Sequence, residues 1–269
     1  MKNIYLLTLF LANVATADGQ FGSYHYYHQA RTKGEKKFEQ RTYIGISMPV
    51  MKMNMLSQYQ DPASGNISSS LFSVGSGGLG LSKAWGFMGG SCAKLVTIDE
   101  TSMIALDIAA AAEIYNYHIG YAAFDSNNYK LTYTYTSGDA NQDLFCLVMR
   151  MPISVMYKIG NEVSCAMSNQ PMFSAGAGLA PSFIESSYAN ESGVGFKLAP
   201  FVTAELGMWF AKLRACYYFG NYTYIQATGD YMYTFNAPGD MLATASSRGS
   251  FVLSLLFLPY AAKWGGDNY

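Results

Sequence analysis

The chain has 269 residues, 50% of them hydrophobic and 13% charged, and a formal net charge of −1 at pH 7. That balance excludes a nucleic-acid binder, which needs a basic footprint, and would leave a soluble domain prone to aggregate. It suits a surface that faces lipid, yet no stretch reaches the ~18–20 apolar residues of a membrane helix.

In chain order, the first element is a leader. Lys2, an apolar stretch from Ile4 to Ala12 and the small-residue pattern Ala15-Thr16-Ala17 make residues 1–17 a secretory signal peptide cleaved after Ala17. No Cys follows the apolar stretch, which argues against a lipoprotein anchor. Loss of Lys2 leaves 16 basic against 18 acidic residues. Residues 18–40 are polar and turn basic near their end, and read as an N-terminal periplasmic extension. Residues 41–269 form one domain in which alternating segments are separated by turns.

Period two places successive side chains on opposite faces and marks strands. Residues 41–53 set Ile44, Ile46, Met48 and Val50 against Tyr43, Gly45, Ser47 and Pro49. Residues 69–83 begin with Phe72 and Val74 on one face, then change parity to Leu79 and Leu81 at Gly77-Gly78. A bulge there keeps the strand count at eight; a hairpin turn raises it toward ten. Residues 103–114 are the longest apolar stretch, but Asp107 and Glu113 break it. Within 102–118, Ile104, Leu106, Ile108 and Ile114 share a face opposite those two acids. Residues 144–160 put Phe145, Leu147, Met149, Met151, Ile153, Val155 and Tyr157 opposite Cys146, Arg150, Ser154 and Lys158. Segments 170–185 and 196–209 follow, with Glu205 opposite Leu206 and Met208. In 211–222, Leu213, Ala215, Tyr217 and Phe219 oppose Lys212, Arg214, Cys216 and Tyr218. Residues 248–260 are apolar on both faces and suit a closing strand.

These segments meet the ~9–11 residues that a tilted strand needs to cross a bilayer. The connections at 159–165 and near Phe210-Ala211 read as tight. Those at 56–66, 123–140 and 227–245 are long and polar, as extracellular loops are. The expected fold is all-β: an antiparallel up-and-down transmembrane β-barrel of eight strands, alternatively ten, in the bacterial cell outer membrane. Arg150 then points into the lumen while Met149 and Met151 point into lipid, and the closed ring satisfies its own backbone.

By parity the inward charges are Asp107, Glu113, Arg150, Lys158, Glu205 and Arg214, a lumenal network of salt bridges filling a narrow interior. Paired as acid and base, Glu113 and Glu205 are the enzymatic alternative. His118 carries the parity of lipid-facing Ile114, which speaks against a lumenal hydrolase. Gly75, Gly77 and Gly80 spell G-x-G-x-x-G with Asp99 downstream, but no helix follows, as dinucleotide binding requires. Cys92, Cys146, Cys165 and Cys216 lack C-x-x-C spacing, and His25, His28 and His118 are scattered, so no metal site and no cofactor is expected. Tyr43, Tyr115, Tyr157, Trp209, Tyr217 and Tyr260 read as interfacial girdle residues. The Tyr-rich stretch 217–233 reads as a strand and loop outside the membrane. Asn66, Asn190 and Asn221 head N-x-Ser/Thr triplets that carry little weight in a bacterial outer membrane.

The segments "MPISVMYKIG" (151–160), "MFSAGAGLAPSF" (172–183) and "AELGMWFAKLRACYYFGNY" (204–222) resemble strands four and five and the late strand-turn-strand segment of the small PorT-like outer-membrane β-barrel family. The resemblance extends over residues 41–260. It implies an eight-stranded barrel like the membrane domain of OmpA, mostly without assigned activity, with one branch serving secretion and gliding machinery. Where that family usually has Glu before Ile-Pro, this chain has Arg150 before Met151-Pro152, which implies a rewritten inner pairing. Glu113, on the neighbouring strand, is the expected partner of Arg150, with Glu205 as the alternative. The expected role is non-enzymatic: a structural or accessory component of a cell-surface or secretion assembly, its partners being outer-membrane lipid and other surface proteins met through extracellular loops. The alternatives are a small transport or hydrophobic-ligand-binding barrel, or a soluble barrel of lipocalin type.

Overall fold

The computed structural model describes residues 38–50, 52–60, 67–75, 84–118, 121–125, 130–134, 143–163, 170–188, 191–228 and 241–259. The expected leader, most of the extension, the parity change at Gly77-Gly78, Cys165 and Tyr260 lie outside them.

A short 3-10 turn, Glu39–Arg41, leads into β1 (Tyr43–Val50) and β2 (Lys52–Gln60). Then come β3 (Ile67–Gly75), β4 (Ala84–Thr97), β5 (Ser102–His118), β6 (Tyr121–Asp125) and β7 (Lys130–Thr134). The rest are β8 (Asp143–Arg150), β9 (Ile153–Ile159), β10 (Pro171–Tyr188), β11 (Glu191–Met208), β12 (Ala211–Thr228) and β13 (Met241–Phe257). β6 and β7 pair only with each other, as a hairpin between β5 and β8.

The other strands close a ring, every pairing antiparallel. β1 and β2 share one position in the wall, because both pair with β13. β3 and β4 share the next, against β2 and β1. β8 and β9 share the position between β5 and β10. The ring therefore has eight positions. β3 and β4 run the same way along one flank, so among the described residues the wall has eight positions and not ten.

Following paired residues around the wall gives its stagger. From Met103 the row passes through Lys158, Ser174, Glu205, Arg214, Ser254, Ser47 and Gly86 and returns to β5 at Glu113, ten residues further on. With ~3.3 Å per residue and ~4.8 Å between strands, that stagger tilts the strands by ~40° and sets a wall radius of ~8 Å. Such an interior is just filled by side chains.

Local sequence explains three departures from the expected elements. β4 carries the second wall position on through Ala84–Thr97, a stretch whose glycines hide the alternation. Gly90 is required there: a Cβ would stand 2.7 Å from the Tyr43 hydroxyl and 2.5 Å from the Ile108 carbonyl oxygen. The connections expected at 56–66 and 227–245 are shorter, because β2 runs to Gln60, β12 to Thr228, and β13 starts at Met241. The connection after β9 is longer than a tight turn and spans 160–170, opening with Gly160 at φ 90. Pro152 has no N–H to give the ladder, yet the register does not slip there: Arg150 pairs with Ser182 and Ser154 with Gly178.

Candidate functional site: an ion-paired lumen

Alternation along each strand divides the wall into two faces of opposite character. The outward positions from Phe145 to Ile159, from Phe173 to Phe183, from Val194 to Met208 and from Phe251 to Phe257 contain no Asp, Glu, Lys or Arg. Many of these apolar side chains are open to the outside, Leu206 by 63% and Phe196 by 74%.

The inward positions hold the charges. Beside Arg41 at the mouth of the short-turn end, the buried charges among the described residues are Asp107, Glu113, Glu162 and Glu205 against Arg150, Lys158, Lys212 and Arg214. Four of each sign neutralise the interior. All six residues expected in the lumen are there, but the structure divides them between two clusters.

The cluster nearer the short turns is built on β5, β9, β11 and β12. Arg214 Nε donates to Glu205 Oε1 at 2.6 Å, and its Nη2 meets the same carboxylate. The other side of the guanidinium reaches Asp107, with Nη1 3.0 Å from Oδ2 and Nη2 3.2 Å from Oδ1. Lys158 Nζ bridges Glu205 at 2.9 Å and Glu162 at 2.5 Å. Lys212 Nζ closes the loop, 2.9 Å from Glu162 and 3.1 Å from Glu205. Tyr43 lies across the group: its hydroxyl donates to Asp107 at 2.9 Å and accepts from Arg214 at 2.7 Å, and Lys212 and Arg214 face its ring.

The second cluster lies toward the long-loop end. Arg150 Nη1 pairs with Glu113 Oε2, which also accepts the Tyr115 hydroxyl at 2.5 Å. Arg150 Nη2 donates to Ser250 Oγ at 3.0 Å, and the guanidinium carbon stands 4.4 Å from the centre of the Tyr218 ring. Glu113 and Arg150 are thus partners, and Glu205 belongs to the other cluster.

Glu162 and Lys212 complete the lower cluster, and neither was among the expected site residues. Lys212 was visible by parity as inward. Glu162 was not, because it lies in the turn after β9, where period-two reasoning has no hold. The turn folds back into the barrel mouth, and Arg41 Nε clasps it through the Glu162 carbonyl at 3.0 Å. Burial alone would raise the Glu162 carboxyl, but Lys158 and Lys212 together hold it below the usual carboxylate range.

Two girdle assignments are corrected. Tyr43 and Tyr115 are 1% and 0% exposed and sit inside, because they share parity with Gly45 and Glu113. Tyr157, Trp209 and Tyr217 do face outward. Asp99, the acid of the G-x-G-x-x-G reading, is used in an exposed turn, accepting from the Thr101 and Ser102 hydroxyls at 2.7 and 2.8 Å. Those hydrogen bonds hold its carboxyl below the ordinary range. Cys92, Cys146 and Cys216 are buried free thiols.

No family model matches the chain, and no curated protein matches it. Among solved structures it is similar to Neisserial surface protein A, at 10% identity and a TM-score of 0.30 over 79% of this chain and 95% of that one. It is similar also to Ail, the attachment invasion locus protein of Yersinia pestis, at 7% identity and a TM-score of 0.25 over 81% and 99%. A third is the outer membrane protease OmpT from Escherichia coli, at 8% identity and a TM-score of 0.36 over 86% and 99%. At scores this low they add nothing to what the strand pairing establishes by itself.

Proposed function

We propose that the chain is an integral β-barrel of the bacterial outer membrane, non-enzymatic, its lumen closed by ion pairs and its long connections displayed outside. The observation that carries this reading is the contrast between the two faces of one wall. From Ile159 up to Phe145 the outward side chains are uncharged over fourteen residue steps, ~35 Å along the axis at the tilt derived above. An apolar band of ~25 Å is what a bacterial outer membrane asks of a barrel. A soluble lipocalin-type barrel would put the apolar face inside and the charges outside.

The non-enzymatic part rests on how the charges are used. Glu113 is held by Arg150 and Tyr115, and Glu205 by Arg214, Lys158 and Lys212. Each carboxylate is committed to its own cations, and the two stand in separate clusters, so they do not serve as an acid–base pair. The segments that resemble PorT-like barrels are β9, β10 and the β11–β12 hairpin. On that resemblance the role is accessory, within a surface or secretion assembly reached through the long connections.

The test is fractionation followed by conductance. The protein should partition with outer membranes, require detergent and migrate faster on gels when unheated. In planar bilayers it should show no steady conductance. Recovery as a soluble periplasmic monomer would overturn the membrane reading, and a stable open pore would overturn the closed lumen.

A further inference from the structure

β11 and β12 are eighteen residues each, yet they pair only from Met208–Ala211 to Phe201–Tyr218. Above that point β11 stays with β10, while β12 follows β13 through register shifts between Phe219 and Tyr222 and between Thr223 and Ile225. The local cause is Gly220, whose φ of 124 is one that L side chains rarely adopt and which breaks the ladder. Among the described residues no strand pairs with 191–200 on the β12 side. The seam opens eight residues above Met208–Trp209, ~20 Å along the axis, near the top of a ~25 Å apolar band. Unpaired backbone groups are costly in hydrocarbon but are readily satisfied among head groups and water.

Two cations lie beside the same bulge: Lys197 from the inward face of β11, which it shares with Thr203 and Glu205, and Arg248 from β13. Lys197 Nζ lies 4.6 Å from the centre of the Tyr222 ring and 3.1 Å from where a Cβ on Gly220 would stand. Arg248 is exposed on β13 between Gly249, the partner of Phe219, and Ser247, the partner of Tyr222, and so runs alongside Gly220 and Asn221. Among the described residues no ion pair joins either cation to a carboxylate. Behind the seam, Arg150 Nε and the Tyr218 hydroxyl are buried without a hydrogen-bond partner. Space remains there as well, since a Cβ on Gly195 would meet no heavy atom within 4 Å. Beside the point where the seam opens, Val202, Tyr217 and Phe219 present exposed apolar surface.

We propose that this seam binds the phosphate head group of an anionic outer-leaflet lipid. Lys197 and Arg248 hold the phosphate, and the acyl chains lie on Val202, Tyr217 and Phe219. The proposal rests on the membrane reading above and adds a specific lipid contact to it.

The experiment uses the full barrel refolded into phosphatidylcholine vesicles, with heat-modifiable mobility as the check on folding, then extracted for native mass spectrometry with added phosphatidylglycerol. The wild type should retain phosphatidylglycerol in preference to phosphatidylcholine. The Lys197→Gln/Arg248→Gln variant should bind it roughly 25-fold more weakly, about fivefold for each cation lost. Lys94→Gln, toward the short-turn end, should change nothing, and inorganic phosphate should not displace the lipid. Equal retention by wild type and double variant, or displacement by inorganic phosphate, overturns the seam site and leaves the barrel standing. Failure of the wild type to enter vesicles overturns the membrane reading and this proposal with it.

Discussion

Arg150 is buried at the end of β8, its guanidinium paired with Glu113. An arginine amid Leu, Val and Met is intolerable on a membrane helix and reasonable on a strand with a polar side, so parity alone places it inward. Its partner followed from adjacency, since Glu113 is the inward acid on the neighbouring strand. Glu162 could not be found this way, because a turn has no period. Tyr43 and Tyr115 were misplaced by a rule about strand ends that their own parity contradicts. Both Glu113 and Arg150 are fully buried, so removing one partner leaves an uncompensated charge. Glu113→Gln or Arg150→Met alone should lower refolding stability by ~3–5 kcal/mol, while the double variant should lose far less than the sum. A double-mutant cycle in denaturant reads the coupling directly, and strictly additive losses would show that the pair is not formed.

At the level of the element, β11 is the most informative strand. Its inward side carries Lys197, Phe201, Thr203 and Glu205, and its outward side carries Val194, Phe196, Leu198, Val202, Ala204 and Leu206. Depth then decides what a charge costs. Ala204 stands ~10 Å above the short turn at the derived tilt, near mid-membrane, whereas Val194 stands above the apolar band. Ala204→Arg should destabilise by ~2–4 kcal/mol and Val194→Arg by less than ~1 kcal/mol, measured by refolding into vesicles. Equal costs would mean that the band is not in lipid. β9 and β12 are readable from the sequence because their alternation is unbroken, and β5 because Asp107 and Glu113 share one face. β4 escaped notice because Gly86, Gly89 and Gly90 interrupt the pattern, and the inward ring of Tyr43 is the physical reason that Gly90 is there.

The ring of strands is one wall with two faces of opposite character. Strand length and composition suffice to expect a closed ring, because an open sheet has no way to satisfy its edges in lipid. The count of eight needed pairing, since alternation alone does not say which strands share one position in the wall. The seam above Phe201 and Tyr218 needed pairing as well, for nothing in the alternation of β11 or β12 marks where their ladder stops. The central claim is that the outward face of this wall meets hydrocarbon. It is tested most directly by spin labels placed one at a time on cysteine-substituted Val194, Leu198, Val202, Ala204 and Leu206 in refolded vesicles, comparing collision with oxygen and with a water-soluble paramagnet. The account predicts that oxygen accessibility peaks at Ala204 and falls toward Val194, with the water-soluble reagent showing the reverse gradient. A label at Ala204 that collides with the water-soluble reagent as freely as one at Val194 would contradict it.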